Sequence, residues 1–236
     1  MNHAVKLLKK EKLTPDIFGL TLERPTGFSF SPGQYVEFTM DRRGLPSETT
    51  PLSLVGLNSD PELHLALKSH NDRNDITTHI KWLEEGDVVH ISDPKDEVIY
   101  RGPGVFISGG TGITPFMAIF RQLQKDGQLK GNMLLFANKR GDDICFEGEL
   151  HHMFGTKVIS ILALEDRPRN AAGEIDLGFM RKHVQDLDQP FYVCGPEPFV
   201  NSVRDVLAEM GVDESRVSLY FWRELAQTHE GQGSAN

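Results

Sequence analysis

The chain has 236 residues, of which 39% are hydrophobic and 25% charged, and its formal net charge at pH 7 is −9. This balance predicts a globular protein of one large or two ordinary domains, and the negative charge argues against non-specific binding to nucleic acid. Because no run of eighteen apolar residues and no signal-peptide pattern is visible, and because Cys145 and Cys194 are the two cysteines, we expect a cytoplasmic protein without membrane insertion.

Six short strands with turn signals between them are predicted in the first hundred residues. Their spacing and alternation are typical of an antiparallel β-barrel. One helix is predicted at 76–84, where Gly86 marks its end. The predicted strands are 5–13, 17–23, 34–40, 51–57, 63–69 and 88–92.

From residue 104 onward, predicted strands alternate with predicted helices. Such an alternation predicts a parallel sheet with helices on both faces. The strands are 105–108, 132–137, 157–162, 192–194 and 217–220, and the helices are 114–125, 147–154, 177–183 and 196–210. We therefore predict a barrel domain at 1–101, an α/β domain at 102–225 and a disordered tail at 226–236.

A glycine-rich turn follows the first strand of the second domain. Gly109, Gly110 and Gly112 would let the backbone approach phosphate oxygens, and a helix opening at Thr114 and Pro115 would point its amides at an anion. The pattern favours a pyrophosphate site. The alternative is a tight strand-to-helix turn that binds nothing.

A later strand of the same domain ends at Cys194, Gly195 and Pro196, just before another amphipathic helix. This CGP motif and the GGTGITP run that contains Thr111 together resemble the ferredoxin–NADP reductase superfamily, as does the PGQY run at 32–35. The resemblance covers about residues 3–222. It implies that the glycine turn receives the pyrophosphate of NADPH or NADH. It also implies that Cys194 lies beside the nicotinamide and flavin rings, as a positioning residue.

The same resemblance implies a flavin site on the barrel. The family carries an Arg-x-Tyr-Ser or Arg-x-Tyr-Thr segment, which here reads Thr50, Pro51, Leu52 and Ser53. Ser53 would be a hydrogen-bond partner of the flavin ring. Threonine stands in place of the arginine that binds the flavin phosphate, and leucine in place of the aromatic that stacks on the ring. A charged hydrogen bond contributes about 1.5–3 kcal/mol, so this departure predicts a weakened flavin site.

A second flavin segment corresponds to the family loop that binds the flavin pyrophosphate at a helix start. FAD is therefore expected rather than FMN. Arg73 would either replace the missing arginine charge or remain a solvated loop cation. The residues implied here are Lys68, Ser69, Asn74, Asp75, Ile76 and Thr77.

Three further features concern the edges of the two predicted sites. Tyr220 and Trp222 would either cover the flavin or cap the surface. Asn138 and Lys139 match the family's adenosine end, where Lys139 and Arg140 could hold a 2′-phosphate. Asp142, Asp143 and Glu165 suit a ribose diol equally, so NADPH and NADH both stay open. The nine histidines lack metal-site spacing, and we expect no metal.

The sequence thus predicts a flavin-dependent NAD(P)H oxidoreductase that passes hydride from nicotinamide to flavin, with Ser53 and Cys194 nearest the chemistry. Electrons would then pass to an acceptor protein, such as ferredoxin or flavodoxin, or to a small molecule. One alternative is a non-catalytic or regulatory module with weakened flavin binding. Another is the electron-transfer subunit of a larger complex. The sequence does not indicate the oligomeric state.

Overall fold

The computed structural model of the chain describes residues 2–40, 48–69, 76–166 and 170–222. Within these residues, the first seven strands form one antiparallel sheet. They are β1 (Asn2–Lys12), β2 (Ile17–Leu22), β3 (Gln34–Met40), β4 (Glu48–Ser53), β5 (Leu63–Lys68), β6 (Val88–Ser92) and β7 (Lys95–Asp96).

The seven strands curl into a nearly closed barrel. Their order is β4-β3-β6-β1-β2-β5, with β7 paired to β3, and an isolated bridge between Leu54 and Leu65 brings the two ends of the sheet together. Alternate side chains fill the interior, where Val36 and Phe38 lie opposite Leu52 and Thr50. The predicted antiparallel barrel is therefore confirmed.

The helix of the barrel domain is shorter than the predicted 76–84. Helix α1 (Ile76–His79) is a single turn and continues only as a 3₁₀ turn over Ile80–Trp82. The Lys10 ammonium donates to the carbonyls of Lys81, at 2.9 Å, and of Leu83. These bonds satisfy carbonyls that a longer helix would need, so the helix ends here.

The predicted strand at 51–57 is also displaced. Strand β4 ends at Ser53, and by Leu57 the chain has entered a turn whose backbone N–H donates to the Asp60 carboxylate at 2.7 Å. Gly56 lies so close to His64 that an added Cβ would stand 2.8 Å from its ring. The chain therefore leaves the sheet here.

The rest of the described chain forms a six-stranded, fully parallel sheet in the order β11-β10-β9-β8-β12-β13. Its helices cover both faces, as the two buried clusters on opposite sides of the sheet show. This confirms the predicted α/β architecture. The strands are β8 (Val105–Gly109), β9 (Met133–Asn138), β10 (Val158–Leu162), β11 (Ala171–Ala172), β12 (Phe191–Pro196) and β13 (Val217–Trp222), and the helices are α2 (Thr114–Lys125), α3 (Glu147–Phe154), α4 (Leu177–His183) and α5 (Glu197–Glu209).

One of the hydrophobic core clusters contains residues of both domains. Ile17, Val55 and Ala66 of the barrel belong to the same buried cluster as Phe106 and the inner face of α2. Arg121 of α2 reinforces this junction because it donates to the Val55 carbonyl as well as to Glu149. The division near residue 101 stays a prediction.

We expect Phe106→Ala to lower the free energy of unfolding by about 3–5 kcal/mol, the usual cost of deleting a fully buried aromatic ring. The Phe106 ring packs within 5.0 Å of Phe116, Phe120 and Tyr192, measured between ring centroids. Urea denaturation of the purified variant measures the change. The matched control is Phe221→Ala, because that side chain is 42% exposed, and an equal loss in the control would contradict the assignment of Phe106 to the core.

Candidate functional site

A cavity of about 620 Å³ lies where the carboxyl ends of the parallel strands meet the edge of the barrel. The barrel contributes residues from β2, β4, β5 and α1, and the α/β domain contributes the turns after β8 and β9 and the start of α5. Ligands of open α/β sheets bind at this end of the strands. The sequence-predicted residues that line the cavity are Thr50, Lys68, Thr77, Gly109, Gly110, Thr111, Asn138, Lys139 and Pro196.

The glycine turn forms one wall of this cavity. The backbone runs from β8 into a 3₁₀ turn over Gly110–Ile113, and α2 follows with Pro115 in its first turn. Gly110 has a φ of +54°, and nothing lies within 4 Å of where its Cβ would be. A free space beside an exposed peptide at a helix start suits the close approach of an anion.

Gly112 has a packing role that the sequence did not indicate. A Cβ on Gly112 would lie 2.3 Å from the carbonyl oxygen of Cys194, so this glycine allows the turn to pack against β12. It does not line the cavity. The close backbone contact therefore requires a glycine here, and the contact of Gly112 with a phosphate stays a prediction.

Phe199 at the start of α5 is a cavity residue that the sequence motifs did not reveal. Its ring packs over the ends of β8 and β12, where a Cβ on Gly109 or Gly195 would stand 2.9 Å or 2.7 Å from its Cδ1. The two glycines therefore make room for an aromatic side chain at the mouth of the cavity. The sequence feature that could have indicated this aromatic contact is the pair of glycines, Gly109 and Gly195, at the ends of two neighbouring strands.

Asn138 supplies an unsatisfied polar group inside the cavity. The residue is 7% exposed, and neither its Oδ1 nor its Nδ2 has a hydrogen-bond partner among the described residues. A buried amide without a partner costs about 1–3 kcal/mol, so a ligand with polar edges would satisfy it.

The charged residues near Asn138 do not decide between the two coenzymes. Lys139 is exposed at the cavity rim. The Glu165 carboxylate accepts from the Gly141 backbone N–H at 2.7 Å, and Asp143 accepts from that of Arg140 at 3.0 Å. Two of the carboxylates predicted to suit a ribose diol, those of Glu165 and Asp143, therefore accept hydrogen bonds from the loop backbone.

Thr50, Thr77 and Lys68 form the barrel side of the cavity. The Lys68 ammonium pairs with the Asp16 carboxylate at 2.9 Å. Ser69, which follows Lys68, is 7% exposed, and its hydroxyl has no hydrogen-bond partner among the described residues. This side combines hydroxyl groups with one cation, a set of donors suited to phosphate oxygens.

Leu52 is not a cavity residue. It is completely buried in the barrel core, opposite Val36. The residue that aligns with the family's stacking aromatic is therefore an aliphatic side chain inside the barrel. Pro51 points to the other face of β4 and is half-buried. Ile76 likewise packs in the barrel core.

A polar cluster lies at the junction of the domains. The Ser53 hydroxyl donates to the Glu97 carboxylate at 2.9 Å, and the Thr114 hydroxyl lies 3.4 Å from Ser53 Oγ while donating to the Thr111 carbonyl at 3.0 Å. Burial raises the pKa of Glu97 to about 7, and the bond from Ser53 lowers it only in part. The sequence motifs did not include Glu97.

Cys194 lies close to this cluster but is almost fully buried. Burial raises the pKa of its thiol well above the usual value, and the Glu97 carboxylate raises it further. A thiol in this environment carries little thiolate, which agrees with a positioning residue rather than a nucleophile.

Several predicted residues lie outside the part of the chain that the structure describes. They include Arg73, Asn74 and Asp75, the side chain of Trp222 and the tail 226–236. Tyr220 is described, and its hydroxyl accepts from the Ile99 backbone N–H at 3.4 Å while its ring packs on the shared core.

The described residues also bear on two other kinds of function. No group of three or more His, Cys, Asp or Glu side chains in the described ranges is arranged to hold a metal ion. Among the same residues, no helix has both the length and the apolar character needed to cross a membrane.

Comparison with known proteins identifies relatives of both parts of the chain. Residues 106–205 match the family model of the oxidoreductase NAD-binding domain. The chain is 28% identical to a flavohemoprotein of Rhodopirellula baltica, over 82% of this chain and 53% of the relative. It is 26% identical to NADH-cytochrome b5 reductase 1 of Laccaria bicolor, over 86% of this chain and 71% of the relative.

The fold is also that of solved reductases. A ferredoxin NADP⁺ reductase from Neisseria gonorrhoeae with bound FAD and NADP superposes with a TM-score of 0.80 at 15% identity, over 92% of this chain and 97% of that one. At this identity the likeness concerns the fold. The chain spans little more than half the length of the flavohemoproteins it matches.

We expect Gly112→Ala to destabilise the protein more than Gly110→Ala. At Gly112 the new Cβ would overlap the Cys194 carbonyl, an overpacking that costs about 1–3 kcal/mol or more. At Gly110 the cost is the left-handed backbone conformation alone, about 1–2 kcal/mol. Urea denaturation of both variants without ligand measures the difference, and the reverse order would refute the packing role of Gly112.

Proposed function

We propose that the chain is a flavin-dependent NAD(P)H oxidoreductase of the ferredoxin–NADP reductase type, which holds FAD on the barrel and the nicotinamide coenzyme on the α/β domain. The match of residues 106–205 to the oxidoreductase NAD-binding domain and the fold shared with a ferredoxin NADP⁺ reductase support this proposal. The observation that carries this proposal is the cavity that joins Thr50, Thr77 and Lys68 to the glycine turn and Asn138. Both halves of the cavity present groups that suit phosphates and polar rings.

The described residues fit FAD at its phosphate end. The buried Ser69 hydroxyl, which has no hydrogen-bond partner in the part of the chain that the structure describes, follows directly after the cavity cation Lys68. Thr50 and Thr77 also line the cavity. Thr50 carries no charge, so Lys68 is the cation that the described barrel side offers to a phosphate. When bound, FAD would supply the redox chemistry of hydride acceptance and electron transfer, and these residues would hold its phosphate end.

The chain's own residues bind, orient and exclude water. The glycine turn and the unpartnered Asn138 amide would bind the coenzyme along the carboxyl ends of the strands. The Ser53 hydroxyl, held between Glu97 and Thr114, would contact the flavin ring. Cys194, which is buried and does not line the cavity, would support from beneath the surface on which the nicotinamide lies. Such positioning converts binding energy into correct alignment of the reacting atoms.

The acceptor is proposed only as a protein or a small molecule that receives electrons. The relatives' names include a flavohemoprotein and a cytochrome b5 reductase, and these point to haem-containing acceptors in those proteins. An electron-transfer subunit of a larger complex is an alternative form of the same proposal.

A non-catalytic module of the same fold is the second candidate. It is favoured by one observation: the segment at Thr50–Leu52 provides neither a cation nor an aromatic ring to the cavity. Direct measurement of flavin binding separates the two candidates.

We expect the purified protein to bind FAD in preference to FMN, and the bound FAD to be reduced by NADH or NADPH under anaerobic conditions. Absorption spectroscopy follows both steps, and comparison of the two coenzymes determines which is used. A protein that binds neither flavin at tens of micromolar would contradict the proposal and favour the non-catalytic module.

Asn138→Ala should raise the coenzyme concentration that gives half-maximal reduction by about two- to tenfold, the effect of one neutral hydrogen bond. Its flavin content should not change, because Asn138 lies at the end of β9 on the α/β domain. Gln124→Ala is the control, since this exposed residue of α2 does not line the cavity. Equal coenzyme requirements in wild type and Asn138→Ala would remove Asn138 from the binding site.

A further inference from the structure

Glu97 is a half-buried acid that joins three segments at the domain junction. It follows β7, accepts the Ser53 hydroxyl at the end of β4 at 2.9 Å, and lies near Thr114, which opens α2. Glu97 belongs to none of the nucleotide-binding motifs. Its contact with Ser53 could not be predicted from the sequence, because the two residues are 44 positions apart.

The direction of the Ser53–Glu97 hydrogen bond depends on the proton of Glu97. A serine hydroxyl has one proton to donate and two lone pairs to accept. The Thr114 proton is engaged by the Thr111 carbonyl at 3.0 Å, so Glu97 is the partner that decides where the Ser53 proton points. An ionised Glu97 must accept from Ser53. A protonated Glu97 is able to donate to it, which releases the Ser53 proton for another acceptor.

The surroundings of Glu97 bring its pKa close to neutral pH. Burial raises its pKa to about 7, against the ordinary value of 4.5, and the Ser53 bond opposes this shift. The Cys194 thiol on β12 faces it and is itself protonated. On its own segment, Lys95 pairs with Glu37 at 2.6 Å and Asp96 accepts from the Gln34 amide at 2.8 Å, so these neighbouring charges are engaged elsewhere.

We propose that Glu97 is a positioning residue whose protonation reverses the Ser53 hydrogen bond, so that Ser53 donates to a bound ligand when Glu97 is protonated and offers only lone pairs when Glu97 is ionised. The inference rests on the proposed function, in which Ser53 contacts the flavin ring. The oxidised ring presents nitrogen and oxygen acceptors at its polar edge. Oxidised FAD should therefore bind more tightly below the pKa of Glu97 than above it.

The first test measures the dissociation constant of oxidised FAD between pH 5.5 and pH 8.5 by fluorescence titration. In the wild type we expect it to rise by about two- to tenfold across this range, as one neutral hydrogen bond is lost. Glu97→Gln removes the titrating group and keeps a donor beside Ser53, so its affinity should stay at the low-pH value throughout. Ser53→Ala should also abolish the pH dependence.

Asp96→Asn is the matched control, because Asp96 is the exposed neighbour on the same segment. It should retain the pH dependence of the wild type. A pH-independent wild type, or a Glu97→Gln variant that keeps the full pH dependence, overturns the inference while leaving FAD binding intact.

The second test uses the protein without flavin and reads stability. An acid whose pKa is raised on folding binds its proton more tightly in the folded state, so its contribution to stability falls as pH rises between about 4.5 and 7. Relative to Glu97→Gln, the unfolding equilibrium constant of the wild type should rise with pH by up to about tenfold per pH unit in this window. No such relative change would show that Glu97 does not titrate there and would overturn the inference.

The two tests distinguish failure of the inference from failure of the proposed function. If neither the wild type nor any variant binds FAD, the proposed function fails, and the inference about ligand binding fails with it. The stability measurement still reports whether Glu97 titrates in the folded protein. If FAD binds and only the pH dependence is missing, the proposed function stands and the role of Glu97 is wrong.

Discussion

The close approach of two backbones is the constraint on which the site depends. Gly112, in the turn after β8, lies against the Cys194 carbonyl at the end of β12, and no residue with a Cβ fits between them. This contact places the start of α2 beside the end of β12. Thr114 and Cys194 consequently lie close to Ser53 and Glu97 of the barrel. A turn even slightly displaced would separate the two halves of the polar cluster.

The hydrophobic cluster that both domains share fixes the relative positions of the barrel and the α/β domain. Inter-domain interfaces are commonly small and polar, and relative motion is then expected. Here Ile17, Val55 and Ala66 of the barrel are buried in the same cluster as Phe106 and Phe116 of the α/β domain. Because interiors are close-packed, sliding one domain over the other would open voids. A cavity built from both domains therefore has walls that hold their relative positions.

Local signals predicted much of this architecture. Helices α2, α3 and α4 and strands β3 and β6 have the predicted limits, because strong apolar periodicity and clear end signals coincide there. The early end of α1 was not predicted, because it depends on hydrogen bonds from Lys10, some seventy residues earlier in the chain. The contact of Gly112 with β12 was also not predicted, since a glycine that approaches a neighbouring strand has the same sequence signature as one that approaches a phosphate. Glu97 gave no signal, because its importance arises from a contact formed only in the folded chain.

The burial of both cysteines has a consequence for a protein proposed to carry electrons. Burial raises the pKa of Cys145 to about 12 and that of Cys194 well above its usual value. Oxidation of a thiol to sulfenic acid proceeds through the thiolate and requires access to the oxidant. Reduced flavins in general generate peroxide when they meet oxygen, and both cysteines are protected from it by their protonation and their enclosure. The protein thus keeps its two thiols out of the oxidation chemistry that its proposed cofactor would bring.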